Sequence, residues 1–494
     1  MRRFRGRAAT IICALLLCSL AAVFLSGCGL IFINRTGADE SSVPVSDSTP
    51  ALTDAPSPVT TAKTPDIVDF SSRIDKAQEA LDGLYDVDVS SYDLMFCAAA
   101  EADNTISPGE SSPIYAACNL RNKMVFEKYE CGFFNFTLPL EQLTAELSAS
   151  VKSGADKDYF ADVLLLPESS AVSLLNAGLL MDLRRLPFYT VSTTGNAGAG
   201  NYISSNYFDI SAAGEDPAAF YALYFNRSLA GSELTDSLYN AARSKTLTWE
   251  TIITAAKTYI PAASDPVGAS VSFGDSDSLG YLADIVCIRS GMDFMTDSSG
   301  TVPAISWNDV NSAAMTAALS EIALLLGKEP ASAESFAEGK TLFRFAPLSD
   351  ILKLYDKKVE WGLLPLPESV GSAPAMVTSS SRNVLCVPAN NSRTELTGLL
   401  LTAFDVASKD WIRDQFAVIC VERYMRDNAS CLNLKAILEG EIYRDFSYIF
   451  SPSVAKLADA TFGAAENCLI NGTPIADSVK AVRATVEKNL KKVY

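Results

Sequence analysis

The sequence predicts an α/β protein. Three observations carry that prediction. From about residue 67 onward, short apolar runs of strand length alternate with amphipathic stretches of helical period. The runs break at polar residues or proline. The chain of 494 residues, 48% apolar, is also long enough to bury two or three sizeable cores.

Taken in order, SYDLMFCAAA (91–100) is the first predicted strand, followed by a helix from Tyr115 to Tyr129. FADVLLLPES (160–169) is the second strand, and AVSLLNAGLL (171–180) the helix after it, ended by Gly178. YALYFNRSL (221–229) reads as a strand, and TLTWETIITAAKTYI (246–260) as a helix with Thr248 as N-cap. SFAEGKTLFRFAP (335–347) is a short helix closed by Gly339 and followed by a strand, and VEWGLLPLP (359–367) is a strand stopped by prolines. Ser392 and Glu395 form a capping box that opens a long helix, TELTGLLLTAFDVA.

Composition excludes several functions. Forty Lys and Arg against 58 Asp and Glu leave a net charge of −18, so the surface repels nucleic acid and anionic lipid alike. Histidine is absent, which removes the usual general base, Ser-His and Cys-His nucleophile pairs, and imidazole metal sites. Any catalysis would have to run on carboxylates, Tyr, Lys or Cys. Eight cysteines lie beyond the leader (Cys97, Cys118, Cys131, Cys287, Cys386, Cys420, Cys431 and Cys468) and form no CxxC pair. Disulfides and buried free thiols are both compatible with that spacing.

The amino-terminal segment has its own pattern. Arg2, Arg3, Arg5 and Arg7 precede the apolar run AATIICALLLCSLAAVFL, the layout of an export signal over residues 1–27. Leu25, Ser26, Gly27 and Cys28 then resemble the bacterial lipobox, which implies cleavage before Cys28 and lipidation of its thiol; a retained signal anchor is the competing reading, since GLIFI prolongs the run. Residues 35–66 are rich in Ser, Thr, Pro and Ala and too poor in large apolar side chains to offset their ordering entropy, so residues 28–66 are expected to be a lipidated tether.

Several blocks in order resemble the family 1 extracellular solute-binding proteins of bacterial ABC importers, especially the large carbohydrate-type lipoproteins. ADVLLLPESSAVSLLNAGLLMDLRRLP is similar to the family's strand, loop and helix ending in G-L-L-x-D-L, and YALYFNRSLA to its Y-x-L-Y-Y-N-K-x-L. TWETIITAAKTY, FAEGKTLF, EWGLLPLP and MRDNASCLNLKAILEGEIYRDFSYIF continue the succession. The resemblance implies the two-lobed, type II periplasmic-binding-protein-like fold with a hinge and an interlobe cleft. Lobe 1 would hold residues 67–217 with a return segment at 379–430, lobe 2 residues 218–378, and residues 431–494 would be helices packing across both. The hinge crossings would lie near 216–219 and 376–381.

Capture of a solute needs polar side chains at strand ends facing the cleft. Carried over block by block, the resemblance offers Glu101 and Asn104 after the first strand, Glu168, Ser169 and Ser170 after the second, Tyr221 past the hinge, Asp277, Ser278 and Tyr281 in GDSDSLGY, and Ser349 after FRFAP. Where relatives often place tryptophan against the sugar, this chain has Leu166 and Ser349; its own Trp249, Trp307, Trp361 and Trp411 read as core residues. Asp275 and Asp277 have the first spacing of a calcium loop, but Val286 stands where its twelfth-position glutamate belongs, so no metal is expected.

The implied function is that of a non-enzymatic, monomeric, membrane-anchored extracellular protein that captures a sugar or oligosaccharide and delivers it to an ABC permease, with no cofactor. A binding protein for peptides or other solutes, or a sensory lipoprotein, keeps the fold and changes the task. A surface polysaccharide hydrolase or lyase working with Glu101 and Glu168 is the rival from another class.

Overall fold

The computed structural model describes residues 70–89, 92–102, 106, 108–154, 160–189, 217–262, 295–296, 304–305, 316–317, 319–320, 333–367, 375–377, 383–408, 411–439, 441–443, 460, 463–465, 467–468 and 473–493. All of them belong to one compact unit spanning residues 62–494. The leader, Cys28, the tether, Asn104, Cys287, Trp307 and the GDSDSLGY stretch fall outside the described residues.

The described residues open with α1 (Phe70–Asp82), β1 (Asp93–Ala99), α2 (Tyr115–Tyr129), β2 (Gly132–Leu138), α3 (Leu140–Ser153), β3 (Val163–Pro167) and α4 (Glu168–Asn176). A second series follows: β4 (Tyr221–Asn226), α5 (Arg227–Arg243), α6 (Trp249–Ala262), β5 (Met295–Thr296), β6 (Ala304–Ile305), α7 (Ala333–Ala337), β7 (Phe343–Pro347), α8 (Asp350–Leu354) and β8 (Trp361–Leu364). The chain closes with β9 (Ala375–Val377), β10 (Asn383–Cys386), α9 (Thr394–Ser408), α10 (Ile412–Arg423), α11 (Asn428–Glu439), β11 (Glu441–Tyr443) and α12 (Ile475–Val493). The α/β class read from the sequence is the class observed.

Most predicted elements fall where their local chemistry puts them. Gly178 takes φ +71°, the left-handed conformation that side chains disfavour, and ends α4. Its amide donates to Leu175 O at 2.9 Å and that of Leu179 to Leu174 O at 3.0 Å, closing the helix with paired reverse bonds. Thr248 does cap α6, its Oγ1 accepting from Thr251 N at 3.2 Å. The strand read as 221–229 stops at Asn226, whose Oδ1 accepts from Ser228 N and Leu229 N at 3.0 and 3.2 Å and starts α5 three residues early. At α9 the side chain at the start is Asn391 rather than Ser392: its Oδ1 accepts from Arg393 N at 2.7 Å, and the helix opens at Thr394.

The two larger of the four described sheets organise the unit. In the first, strand order is β10-β3-β1-β2, with β1, β2 and β3 parallel and β10 antiparallel to β3. Leu94, Phe96, Cys97 and residues 163–166 are buried, as expected of inner strands covered on both faces. In the second, β4 lies between β7 and β8, antiparallel to both. All six residues of β4 are buried, and alternate side chains enter different cores. Ala222 and Tyr224 join the core of the first sheet and helices α9 to α11, whereas Tyr221, Leu223 and Phe225 pack with α5, α6 and the apolar face of α12.

The returning chain is fixed by polar groups. Asp162, fully buried just ahead of β3, accepts from Met95 N at 2.7 Å and from Arg393 Nε at 3.0 Å, and its backbone carbonyl accepts from Asn391 Nδ2 at 3.1 Å. At the other sheet, the outer edge of β8 is satisfied by α11: Ser430 Oγ accepts from Leu363 N at 2.9 Å, and Asn433 Nδ2 donates to Leu363 O at 2.7 Å. Tyr239 Oη lies 3.0 Å from the same Ser430 hydroxyl. Close contact explains Gly362 beside it, since a Cβ there would meet the Phe225 ring and the Tyr239 hydroxyl at 2.4 Å.

The seven described cysteines beyond the leader are buried and reduced. Burial pushes the Cys97 thiol up to about 12 and those of Cys131 and Cys431 up to about 11.

Asp162→Ala strands a buried amide and a guanidinium and should lower the urea-unfolding free energy by about 3 kcal/mol. The thiols give a pH dependence. Their folded values exceed the unfolded value of about 8.5, so the neutral form is favoured in the native state; stability is complete below about pH 8.5 and falls as pH rises towards 11. Urea midpoints at pH 8 and 10.5 measure the loss, and Cys97→Ala should shrink it.

Candidate functional site

Three parallel strands ending together make the rim on which a site is built. Ala99 lies beside Leu138 and Ala98 beside Leu165 in register, so the carboxyl ends of β1, β2 and β3 share one edge of the first sheet. Antiparallel β10 brings its first residue, Asn383, against Pro167 at the same edge. Two helices start there directly from strand ends, α3 after Pro139 and α4 after Pro167. Proline suits both positions because its fixed φ turns the chain and it has no N–H to leave unbonded.

Glu101 follows β1 on this rim and is exposed. Its Oε2 accepts from Leu140 N at 2.9 Å, so the carboxylate already binds one of the open amides at the start of α3. Glu168, Ser169 and Ser170 form the first turn of α4, with Ser170 half-buried; the side chains of Glu168 and Ser169 fall outside the described residues. The fold thus brings Glu101 and the 168–170 turn to one sheet edge. Amides, a carboxylate and hydroxyls at such an edge can hydrogen-bond a polyhydroxylated solute.

Tyr221 and Ser349 are gathered at one end of the second sheet. Tyr221 pairs with Pro347 in register, and Ser349 N donates to Ala218 O at 2.8 Å. Their exposures differ. Ser349 is half-buried, while Tyr221 is 2% exposed and packs among Leu223, Phe225 and Trp249. Asn104, Asp277, Ser278 and Tyr281 lie outside the described residues.

Trp249, Trp361 and Trp411 are core residues, and the Trp411 indole donates to Ala407 O at 2.7 Å. Sequence reading misses the α3 start on the rim, because the strand leading to it, GFFNFTL, is half-buried or exposed and shows no alternation. It also missed Asn383, for which no sequence signal exists; only the antiparallel pairing of β10 places it. Among the described residues no group of three His, Cys, Asp or Glu is arranged to hold a metal ion, and no helix is long and apolar enough to cross a membrane.

The sequence matches no protein-family model and no curated protein. Solved structures do match. The cyclic α-maltosyl-1,6-maltose binding protein from Arthrobacter globiformis aligns over 81% of this chain and 99% of its own at 14% identity, with a TM-score of 0.53. A cyclo/maltodextrin-binding protein complexed with maltotetraose aligns over 81% and 97% at 12% identity, with a TM-score of 0.51. A family 1 extracellular solute-binding protein from Bifidobacterium longum subsp. infantis aligns over 80% and 98% at 12% identity, with a TM-score of 0.50. The chain therefore has the two-lobed fold of these binding proteins.

Glu101 separates a structural tie from a ligand contact. Glu101→Ala should cost about 1 kcal/mol in urea unfolding through the lost Leu140 bond, and Glu101→Gln, which keeps an acceptor, less than half of that.

Proposed function

We propose that this chain is a membrane-anchored, extracytoplasmic solute-binding protein that captures a sugar or oligosaccharide and delivers it to an ABC importer. The observation that supports this reading best is the fold shared over about four fifths of the chain with three binding proteins, two of them described by maltose-derived ligands. A histidine-free chain suits the task, because capture needs no proton transfer and no covalent step.

In this reading residues 67–217 with 379–430 form lobe 1, residues 218–378 form lobe 2, and residues 431–494 close across both. Glu101, Asn104, Glu168, Ser169 and Ser170 approach the ligand from one lobe, and Asp277, Ser278, Tyr281 and Ser349 from the other, while Tyr221 stays in the core. Ligand bridging the lobes shifts the population towards a closed form, which the membrane permease recognises. Residues 1–27 are removed, Cys28 carries the lipid, and residues 35–66 hold the monomeric binding unit away from the bilayer. The protein is not an enzyme.

Titration calorimetry of residues 67–494 with maltotetraose should give a dissociation constant near micromolar, about −8 kcal/mol. At 100 times that constant the sugar should add about 2.7 kcal/mol of stability, while amino acids and peptides leave the unfolding midpoint in place. Stabilisation by a peptide and by no sugar would reassign the ligand; appearance of shorter glucans during incubation would make the protein a hydrolase.

A further inference from the structure

One buried charge cluster lies outside the contacts that build the two sheets. Asp350, the first residue of α8, has a side chain 3% exposed. It accepts a two-pronged bond from Arg344, through Nε at 2.9 Å and Nη2 at 2.7 Å, and Lys353 approaches its other oxygen at 3.0 Å. Arg344 is the second residue of β7, so the pair spans the end of the strand and the turn at Leu348 and Ser349 that leaves it. Both guanidinium nitrogens converge on one oxygen, Oδ2, and a planar guanidinium held through two of its N–H groups is fixed in direction as well as distance.

The turn so held is the one that carries Ser349. Its amides reach across to the segment entering the second sheet: Leu348 N donates to Phe220 O at 2.7 Å and Ser349 N to Ala218 O at 2.8 Å. A third bond acts from the same sheet, Tyr224 Oη donating to Pro347 O at 2.9 Å. Arg413 of α10 lies 5.5 Å from the centre of the Phe220 ring, so the 217–220 segment is also held from the helical side.

We infer that Asp350 is a positioning residue: gripped by Arg344, it locks the 347–350 turn to the 217–220 crossing and so sets where Ser349 stands when solute is captured. Removing a buried charge partner frees the turn locally before it unfolds the protein, because the two sheets are held by separate contacts. The ligand half of this inference rests on the sugar-capture reading; the locking half does not.

The test uses Asp350→Asn in residues 67–494, with Tyr224→Phe as a milder second variant that deletes one hydroxyl bond to the same turn. Hydrogen exchange should accelerate at least tenfold at the Leu348 and Ser349 amides of Asp350→Asn, and less in Tyr224→Phe, while Val384 and Leu385 of β10 keep their wild-type rates. Maltotetraose binding should weaken about tenfold in Asp350→Asn. Unchanged exchange at Leu348 and Ser349, or equal acceleration at all four amides, would overturn the inference. Wild-type protein that ignores maltotetraose removes the sugar reading, and the exchange rates then decide the lock alone.

Discussion

A carboxylate with no solvent exposure, Asp162, governs how the chain is threaded. It sits where β3 begins, takes the amide of Met95 from β1, and receives Arg393 from the chain returning after the second sheet. Burying a charge is costly unless it is paired and hydrogen-bonded, and here both conditions are met. Because Arg393 immediately precedes α9, the pair sets the start of that helix, and with it the packing of α9 on α1 and α2. The antiparallel entry of β10 beside β3 is the same constraint seen in the backbone.

The second sheet depends on that return. Its central strand is buried on both faces, so each face needs a cover drawn from distant sequence. Helices α10 and α11, which follow α9 directly, supply one cover and donate Phe416, Cys420 and Leu434 to the shared core. Ser430 and Asn433 then close the edge of β8 by bonding both polar groups of Leu363, and Asp427 positions Ser430 through bonds of 2.8 Å to its amide and hydroxyl. A full Leu or Phe burial contributes about 1.5–3 kcal/mol, but the edge bonds choose which surface is buried.

Much of this was legible in the sequence, for a physical reason. Strands covered on both faces, such as 163–167 and 221–226, become unbroken apolar runs, and the helix over Tyr115–Tyr129 has the same limits in sequence and structure. Edge strand β2 carries no such signal: its residues are half-buried or exposed and show no alternation. Asn226 reads as one more strand residue until its side chain is found capping α5. The candidate site was legible as loops after strands but not in its bonding. Glu101 meets Leu140, 39 residues away, and Asp162 meets Arg393, 231 residues away; periodicity carries no information at such separations.

In the proposed capture, the strand-end rim of the first sheet and the 347–350 turn of the second enclose the solute. Enclosure has a geometric consequence that simple surface adsorption lacks. X-ray scattering of residues 67–494 in solution, recorded with and without saturating maltotetraose, should reveal a smaller radius of gyration in the sugar-bound protein. Saturable binding with an unchanged radius of gyration would contradict capture by closure.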